Sequence, residues 1–173
     1  GVNGHTDALD AAVRVRPNVE EARRLLAEAG YPNGFSVGMD CPNDRYVNDE
    51  AICTAAVAML ARAGIRVQLN AQTRARYFAE ILAPRYNTSF FMLGWTPTTY
   101  DAHNAMFNLM GTRDGTRGVF NSGGYSNPRF DTLVDRIAVE TDRARRQALM
   151  DEAMRLHAEE VGHIPLHQQV VIW

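Results

Sequence analysis

Apolar positions along the chain follow two periods. Val19, Ala22, Leu25, Leu26 and Ala29 recur at helical spacing. Asn18 stands where it caps that helix, with Glu21 three residues on as in a capping box, and Gly30 and Pro32 stop it. Phe35 to Cys41 then reads as a short strand. Ile52, Ala55, Ala56, Met59, Leu60 and Ala63 form the buried stripe of a second helix, capped by Asn48 or Asp49 and ended by Gly64. Ile65, Val67 and Leu69 alternate as a strand does. Strand, helix and strand at this length make a βαβ unit, so the two strands are expected to be parallel.

Thr73 caps a third helix through Phe78, Ile81 and Leu82, ended by Pro84. From about Thr88 to Trp95 the chain is nearly all apolar, the pattern of a strand covered on both faces. That run breaks at Gly94-Trp95, and Thr96, Pro97, Thr98, Thr99, Tyr100 and Asp101 follow. Asp101 to Met110 suits a short helix. Residues 111 to 126 hold five glycines and read as a long flexible loop. Asn127 as cap and Pro128 at the first helical position open a fourth helix, with Phe130, Leu133, Val134, Ile137 and Ala138 on its core face. Thr141-Asp142 starts a fifth. There Ala148, Leu149, Ala153 and Leu156 face inward and Arg143, Arg145 and Arg146 lie on the wet side. Gly162 ends it, and Ile164 to Trp173 reads as a strand. Residues 1 to 16 are a polar connector. The expected fold is α/β: one domain over residues 1–173, with a mixed, mainly parallel sheet flanked by helices.

Composition narrows the function classes. Hydrophobic residues make up 46% and charged residues 22%, as in ordinary globular proteins, and the net charge of -2 gives no reason to expect nucleic acid as a partner. All 18 basic residues are Arg. Schiff-base chemistry and a P-loop lysine are therefore excluded. Ala51 to Ala61, the most apolar helical stretch, is too short to span a bilayer. Cys41 and Cys53 are expected to be free, half-buried thiols, with a disulfide as the alternative. The chain begins at Gly1 and stops at Trp173 just after Val170-Val171-Ile172, which gives the expectation of a lobe excised from a larger protein.

A buried strand that stops in a cluster of aromatic and hydrogen-bonding side chains is where an open α/β domain keeps its ligand. Trp95 forms an aromatic wall for that ligand or packs in the core. Thr96, Thr98 and Tyr100 bond ligand or serve the turn around Pro97. Asp101 binds a cationic group or caps the helix that follows. Arg45 and Tyr46, after the first strand, open on the same sheet edge, and Arg45 suits a carboxylate. A metal is not expected. His163 and His167 in a strand stand about 13 Å apart, and His157 lies on the preceding helix. His103 lacks a local partner ligand. There is no GxSxG, HExxH, P-loop or GxGxxG, so no catalytic residue is assigned.

Several segments together resemble a known family. They are Ala22-Arg-Arg-Leu-Leu-Ala-Glu-Ala-Gly-Tyr-Pro-Asn-Gly-Phe35, Leu60-Ala-Arg-Ala-Gly-Ile-Arg-Val67, Gly94-Trp95 with Asp101 downstream, Tyr125-Ser-Asn-Pro-Arg-Phe-Asp-Thr-Leu-Val134, and Asp142 to His167 with its final His-Ile-Pro-Leu-His. In this order they resemble the C-terminal lobe of the extracellular solute-binding proteins of family 5, the dipeptide- and oligopeptide-type receptors of ABC importers. The resemblance implies one lobe of a periplasmic-binding-protein type II fold, a periplasmic location and no cofactor. It also implies three kinds of partner: a peptide or other small-molecule ligand, ABC permease subunits, and the N-terminal lobe of the same protein. Family ligands include peptides, some sugars, nickel complexes and opines. In peptide-binding members an Asp shortly after Gly-Trp pairs with the ligand's amino terminus, and here that position is Thr98. The competing classes are a small-molecule-binding sensory domain and a hydrolytic enzyme domain.

Overall fold

The computed structural model describes residues 2–7 and 17–168. The chain divides into a sheet unit, Val15–Thr96 with Ser122–Gly124, and a helical unit, Gly1–Arg14 with Pro97–Asn121 and Tyr125–Trp173.

In the sheet unit, α1 (Val19–Glu28) begins at Asn18, whose side chain accepts the Glu21 N–H at 3.0 Å. Glu21 does not complete the box, because its carboxylate accepts from Arg24 instead. Strands β1 (Ser36–Pro42) and β2 (Arg66–Gln72) pair in parallel, from Ser36 opposite Arg66 to Pro42 opposite Gln72. They are joined by α2 (Asp49–Ala63), which packs on both strands, while α3 (Arg74–Ile81) packs on β1. This is the expected βαβ unit. Thr73 makes no capping bond through its side chain; the Arg74 N–H donates to Asp44 instead.

The core of this unit is Met39, Cys41, Cys53 and Met92, with Val67, Leu69 and Phe90 packed against it. Cys41 and Cys53 form a disulfide, not free thiols. The α2 crossover brings its first turns back over the end of β1, placing the two Cα atoms 6.6 Å apart, within bridging reach. The predicted stripe of α2 holds in part: Met59 is 59% exposed and Ala55 also faces solvent, while Cys53 is fully buried. In α1, Leu25 is 50% exposed and no residue is buried.

The apolar run at 88–95 is not a strand. It touches β1 through one parallel bridge, Asp40 opposite Phe91. The Asp40 N–H donates to the Phe90 carbonyl at 2.9 Å, and the Met92 N–H donates to the Asp40 carbonyl at 3.1 Å. The next rung of a parallel ladder needs an N–H at position 42 donating to the Met92 carbonyl. Pro42 has none. The buried Tyr77 takes that carbonyl through its hydroxyl at 2.6 Å.

The helical unit holds α4 (Ala102–Ala105), continued by one π turn over Met106–Met110, then α5 (Pro128–Val139) and α6 (Arg143–Glu159), which pack together. Asn127 caps α5 through the Arg129 and Phe130 N–H groups, as the sequence predicts, and Asp142, in the pair expected to start the next helix, caps α6 through the Arg145 N–H. The core is Met106, Phe130, Leu133, Val134, Ile137, Leu149, Met150 and Ala153. Ala138 and Ala148, expected inside, are exposed. The glycine-rich loop is pinned rather than free. Asn121 is fully buried; its Nδ2 donates to the carbonyls of Gly111 and Tyr125, and its Oδ1 accepts the Tyr125 N–H. Residues 164–168 form no strand; the remainder of that predicted strand and residues 8–16 of the connector lie outside the described residues. Asn3, in the described part of the connector, bridges to Asp101.

The chain is thus an α/β protein with a small parallel sheet flanked by helices. Ile137→Ala is expected to cost about 2–5 kcal/mol, whereas Leu25→Ala stays within about 0.5 kcal/mol; urea titration of both variants measures the contrast. Reducing the Cys41–Cys53 disulfide is expected to cost about 2–4 kcal/mol, read as a lower urea midpoint in dithiothreitol than in its absence.

Candidate functional site

The loop after β1 is shaped by one buried carboxylate. Asp49 is 3% exposed. Its Oδ2 accepts the N–H groups of Arg45 at 2.9 Å and Tyr46 at 3.0 Å, and its Oδ1 accepts that of Glu50 at 2.9 Å. Burial pushes its pKa up, but the backbone donors outweigh burial and hold it below the ordinary carboxylate value. Asn48 sits at the cap position in a left-handed conformation and makes no capping bond. With the loop fixed, the Tyr46 hydroxyl donates to the Gly94 carbonyl at 3.1 Å. The ring lies so close that a Cβ on residue 94 would stand 2.8 Å from Cε1, so this corner requires glycine. Burial raises the Tyr46 pKa, which keeps the hydroxyl a neutral donor. The exposed Arg45 places its guanidinium 4.8 Å from the center of the Tyr46 ring. Arg45 and Tyr46 thus meet the Gly94-Trp95 corner, with Trp95 partly buried and Thr96 exposed.

In the helical unit, Thr98 is exposed and lies in the turn closed by the Tyr100 N–H on the Pro97 carbonyl at 3.1 Å. Tyr100 has a positive φ of 52° and is 68% exposed. Asp101 caps α4 by accepting the His103 N–H at 2.9 Å. The same carboxylate takes two bonds from Arg146, at 2.7 and 3.0 Å, and one from Asn3 Nδ2 at 2.8 Å. Arg146 also donates through Nε to the Ile137 carbonyl. The hydrogen bonds from Arg146 are the main reason that the Asp101 pKa lies below the ordinary value. A cavity of about 460 Å3 opens beside this pair, lined by Thr99, His103, Asn104, Phe107 and Asn108 as well. His103 Nε2 faces the Val134 carbonyl at 3.2 Å and therefore carries its hydrogen there, and burial lowers its pKa. The charges on this cavity wall cancel within the protein.

Sequence reading missed Asp49 as the organiser of the Arg45–Tyr46 loop and Arg146 as the partner of Asp101. An acid in the first helical turn is a visible signal, but its turn back toward the preceding loop is not. The helical spacing puts Arg146 on or near the wet side, yet its side chain is only 23% exposed. Among the described residues no cluster of three or more His, Cys, Asp or Glu side chains is placed to hold a metal. His157 and His163 stack on each other, while His167 is exposed. No helix among the described residues is long and apolar enough to cross a membrane.

Comparison with known proteins gives a consistent result. The model of the bacterial extracellular solute-binding proteins, family 5 middle region, matches residues 2–117. The glutathione-binding protein GsiB of Pectobacterium atrosepticum is 30% identical over 153 residues, covering 85% of this chain and 30% of the relative. The chain therefore spans about 30% of the length of that curated relative. Among solved structures, the ABC transporter-associated periplasmic binding protein DppA from Helicobacter pylori, in complex with the peptide STSA, superposes with a TM-score of 0.80 at 22% identity, over 95% of this chain and 31% of the other. The binding protein AgaA of A. tumefaciens R10, in complex with agropinic acid, gives 0.76 at 27% identity, over 94% of this chain and 32% of the other. With more than half of its residues matched by the family model, this chain belongs to the bacterial extracellular solute-binding proteins of family 5.

Proposed function

We propose that the chain is the C-terminal lobe of a two-lobed receptor that captures a peptide-like or other small solute and delivers it to the permease subunits of an ABC importer. Family membership supports this reading, as do the relatives' names: one binds glutathione, one was solved with a peptide and one with agropinic acid. The observation in this chain that carries it is the Gly94-Trp95 corner, held by Tyr46 with Arg45 exposed beside it. The receptor works outside the cytoplasm, exported or lipid-anchored, a setting in which the Cys41–Cys53 disulfide persists. Ligand closes the lobes because it binds the closed state better than the open one, and the N-terminal lobe supplies the other wall. The role is one of capture, with no catalytic residue and no cofactor.

The ligand class follows from charge. Thr98 offers a hydroxyl where an ammonium would need a carboxylate, and the carboxylate of Asp101 is taken by Arg146. On this reading Trp95, Thr96 and Thr98 contact the solute, Arg45 holds a carboxylate of it, and Asp101 keeps the following helix in place. Tyr46 shapes the corner, and the exposed Tyr100 offers its hydroxyl to the solute. The preferred solute carries an anionic or neutral group at the Thr98 position.

A thermal-shift panel of glutathione, short peptides, opines, sugars and metal chelates on the two-lobed receptor tests the role. A true ligand at a hundredfold excess over Kd adds about 2.7 kcal/mol, and a panel without any stabilising compound counts against it. The 173-residue chain alone is expected to bind weakly, so submicromolar binding by it would rule out a shared cleft. Thr98→Asp is expected to raise affinity for peptides with a free amino terminus by about tenfold or more; tight binding of such peptides through their ammonium in the parent would refute the charge argument.

Asp101→Asn is expected to lower stability by about 1–3 kcal/mol and to leave ligand affinity nearly unchanged. Because the folded-state pKa of Asp101 lies below its unfolded value of 3.8, this contribution is complete above about pH 4 and fades as pH falls through the lowered pKa. Urea titrations of both proteins at pH 7 and pH 3 measure it.

A further inference from the structure

The turn after α6 carries a side-chain pair that the binding role does not use. His157 is 3% exposed. Its Nε2 lies 2.9 Å from Nδ1 of His163, and the rings stack with centroids 5.0 Å apart. Tyr125 meets His157 edge-on at 4.6 Å and Phe130 lies 5.2 Å away. The chain folds back through Val161, with a φ of 52°, and Gly162, where a Cβ would stand 2.4 Å from His157 Cε1. Glu160 accepts from the Tyr125 hydroxyl at 2.5 Å and from Asn127 Nδ2 at 2.7 Å. The turn is therefore held to the start of α5 as well as to α6.

The proton positions follow from satisfaction of donors. His157 Nδ1 is buried with no hydrogen-bond partner. A buried N–H without an acceptor is rarer and costlier than an idle acceptor. The His157 hydrogen therefore sits on Nε2 and is donated to His163 Nδ1, and the His163 hydrogen sits on its own Nε2. An added proton on His163 Nδ1 sets N–H against N–H. Keeping the contact would then move the His157 hydrogen to Nδ1, where nothing accepts it. An added proton on His157 creates a buried charged donor with the same lack. Only with both rings neutral is the contact free of a buried charge or an N–H without an acceptor.

We propose that His157 and His163 form an acid-released latch: the neutral pair holds the Val161–His167 segment against the helical unit, and protonation frees it. The groups facing His157 are Tyr125 and Phe130 from the start of α5, His163 from the turn and Glu160 from the end of α6. The Glu160 charge favours protonation, but Tyr125 and Asn127 hold its oxygens. Burial is the larger influence and pushes His157 down to about 4; it lowers His163 as well. A released ring titrates near 6.5, so between these values the released state binds more protons. The latch is at full strength above about pH 6.5 and is lost as pH falls toward about 4. Release frees a segment whose Ile164 and Leu166 are already 60% and 53% exposed. The device does not depend on the proposed binding role.

Nitrogen-15 spectra of the imidazoles and amide hydrogen exchange, both on the 173-residue chain, test it. At pH 7.5 both histidines are expected as the Nε2–H tautomer. Corrected for intrinsic exchange, opening of residues 161–167 is expected to rise below pH 6.5 by about tenfold per pH unit for each ring protonated on release, up to about a hundredfold for both, with α5 and α6 protected throughout. An Nδ1–H tautomer at His157, titration of both rings near 6.5, or pH-independent protection of 161–167 would each overturn the latch. The double variant His157→Phe/His163→Leu is expected to lose the pH dependence, and its persistence there would also overturn the proposal. If that variant fails to fold, the wild-type tautomers and exchange decide.

Discussion

The peptide groups flanking Asp40 anchor the segment that ends in the candidate site. The Asp40 N–H and carbonyl engage the backbone of Phe90 and Met92, which sets the register of that segment beside β1. Pro42 then prevents a second rung, and Tyr77 takes the carbonyl left over. Released from the ladder after one bridge, the chain turns at Gly94 and presents Trp95. A longer pairing would have carried Gly94 and Trp95 into the sheet. The site therefore depends on the sheet ending early as much as on its forming at all.

Much of this was legible in the sequence. Asn18 and Asn127 cap the helices they were expected to cap, because a capping residue acts within its own turn. The two parallel strands followed from alternation and length. Most of what failed involved partners distant in sequence. The run at 88–95 is apolar enough for a strand, but its pairing is decided by Pro42 and by a tyrosine on α3. Periodicity identified the faces of α1 and α2 without fixing how far each is covered, so Leu25 and Met59 proved exposed. The Cys41–Cys53 bond needed the α2 crossover to bring the sulfurs together. The expected strand starts at Ile164, just beyond His163, whereas a single left-handed residue at Val161 turns His163 back onto His157.

The site residues divide by what surrounds them. Arg45 and Tyr46 are candidates through a general rule, that loops leaving one edge of an α/β sheet share that edge, and the structure places both beside Gly94. Asp49 and Arg146, which make the arrangement rigid, carry no motif, and their roles arise from where each carboxylate or guanidinium turns after folding. Arg146 in particular alters the meaning of Asp101. An acid that looks available in the sequence is neutralised, so the chemistry beside Thr98 is less negative than a residue count suggests.

The disulfide joins residues 12 apart in sequence, and the loop carrying Arg45 and Tyr46 lies wholly inside the ring that it closes. A break in the backbone of that loop would leave both ends attached through the disulfide, where an open loop would come apart. The same ring removes most of the disorder that this loop would otherwise lose when it meets a solute. On the proposed binding role, affinity is thereby tied to the thiol chemistry of the compartment: in a reducing one the same side chains would start from a looser loop.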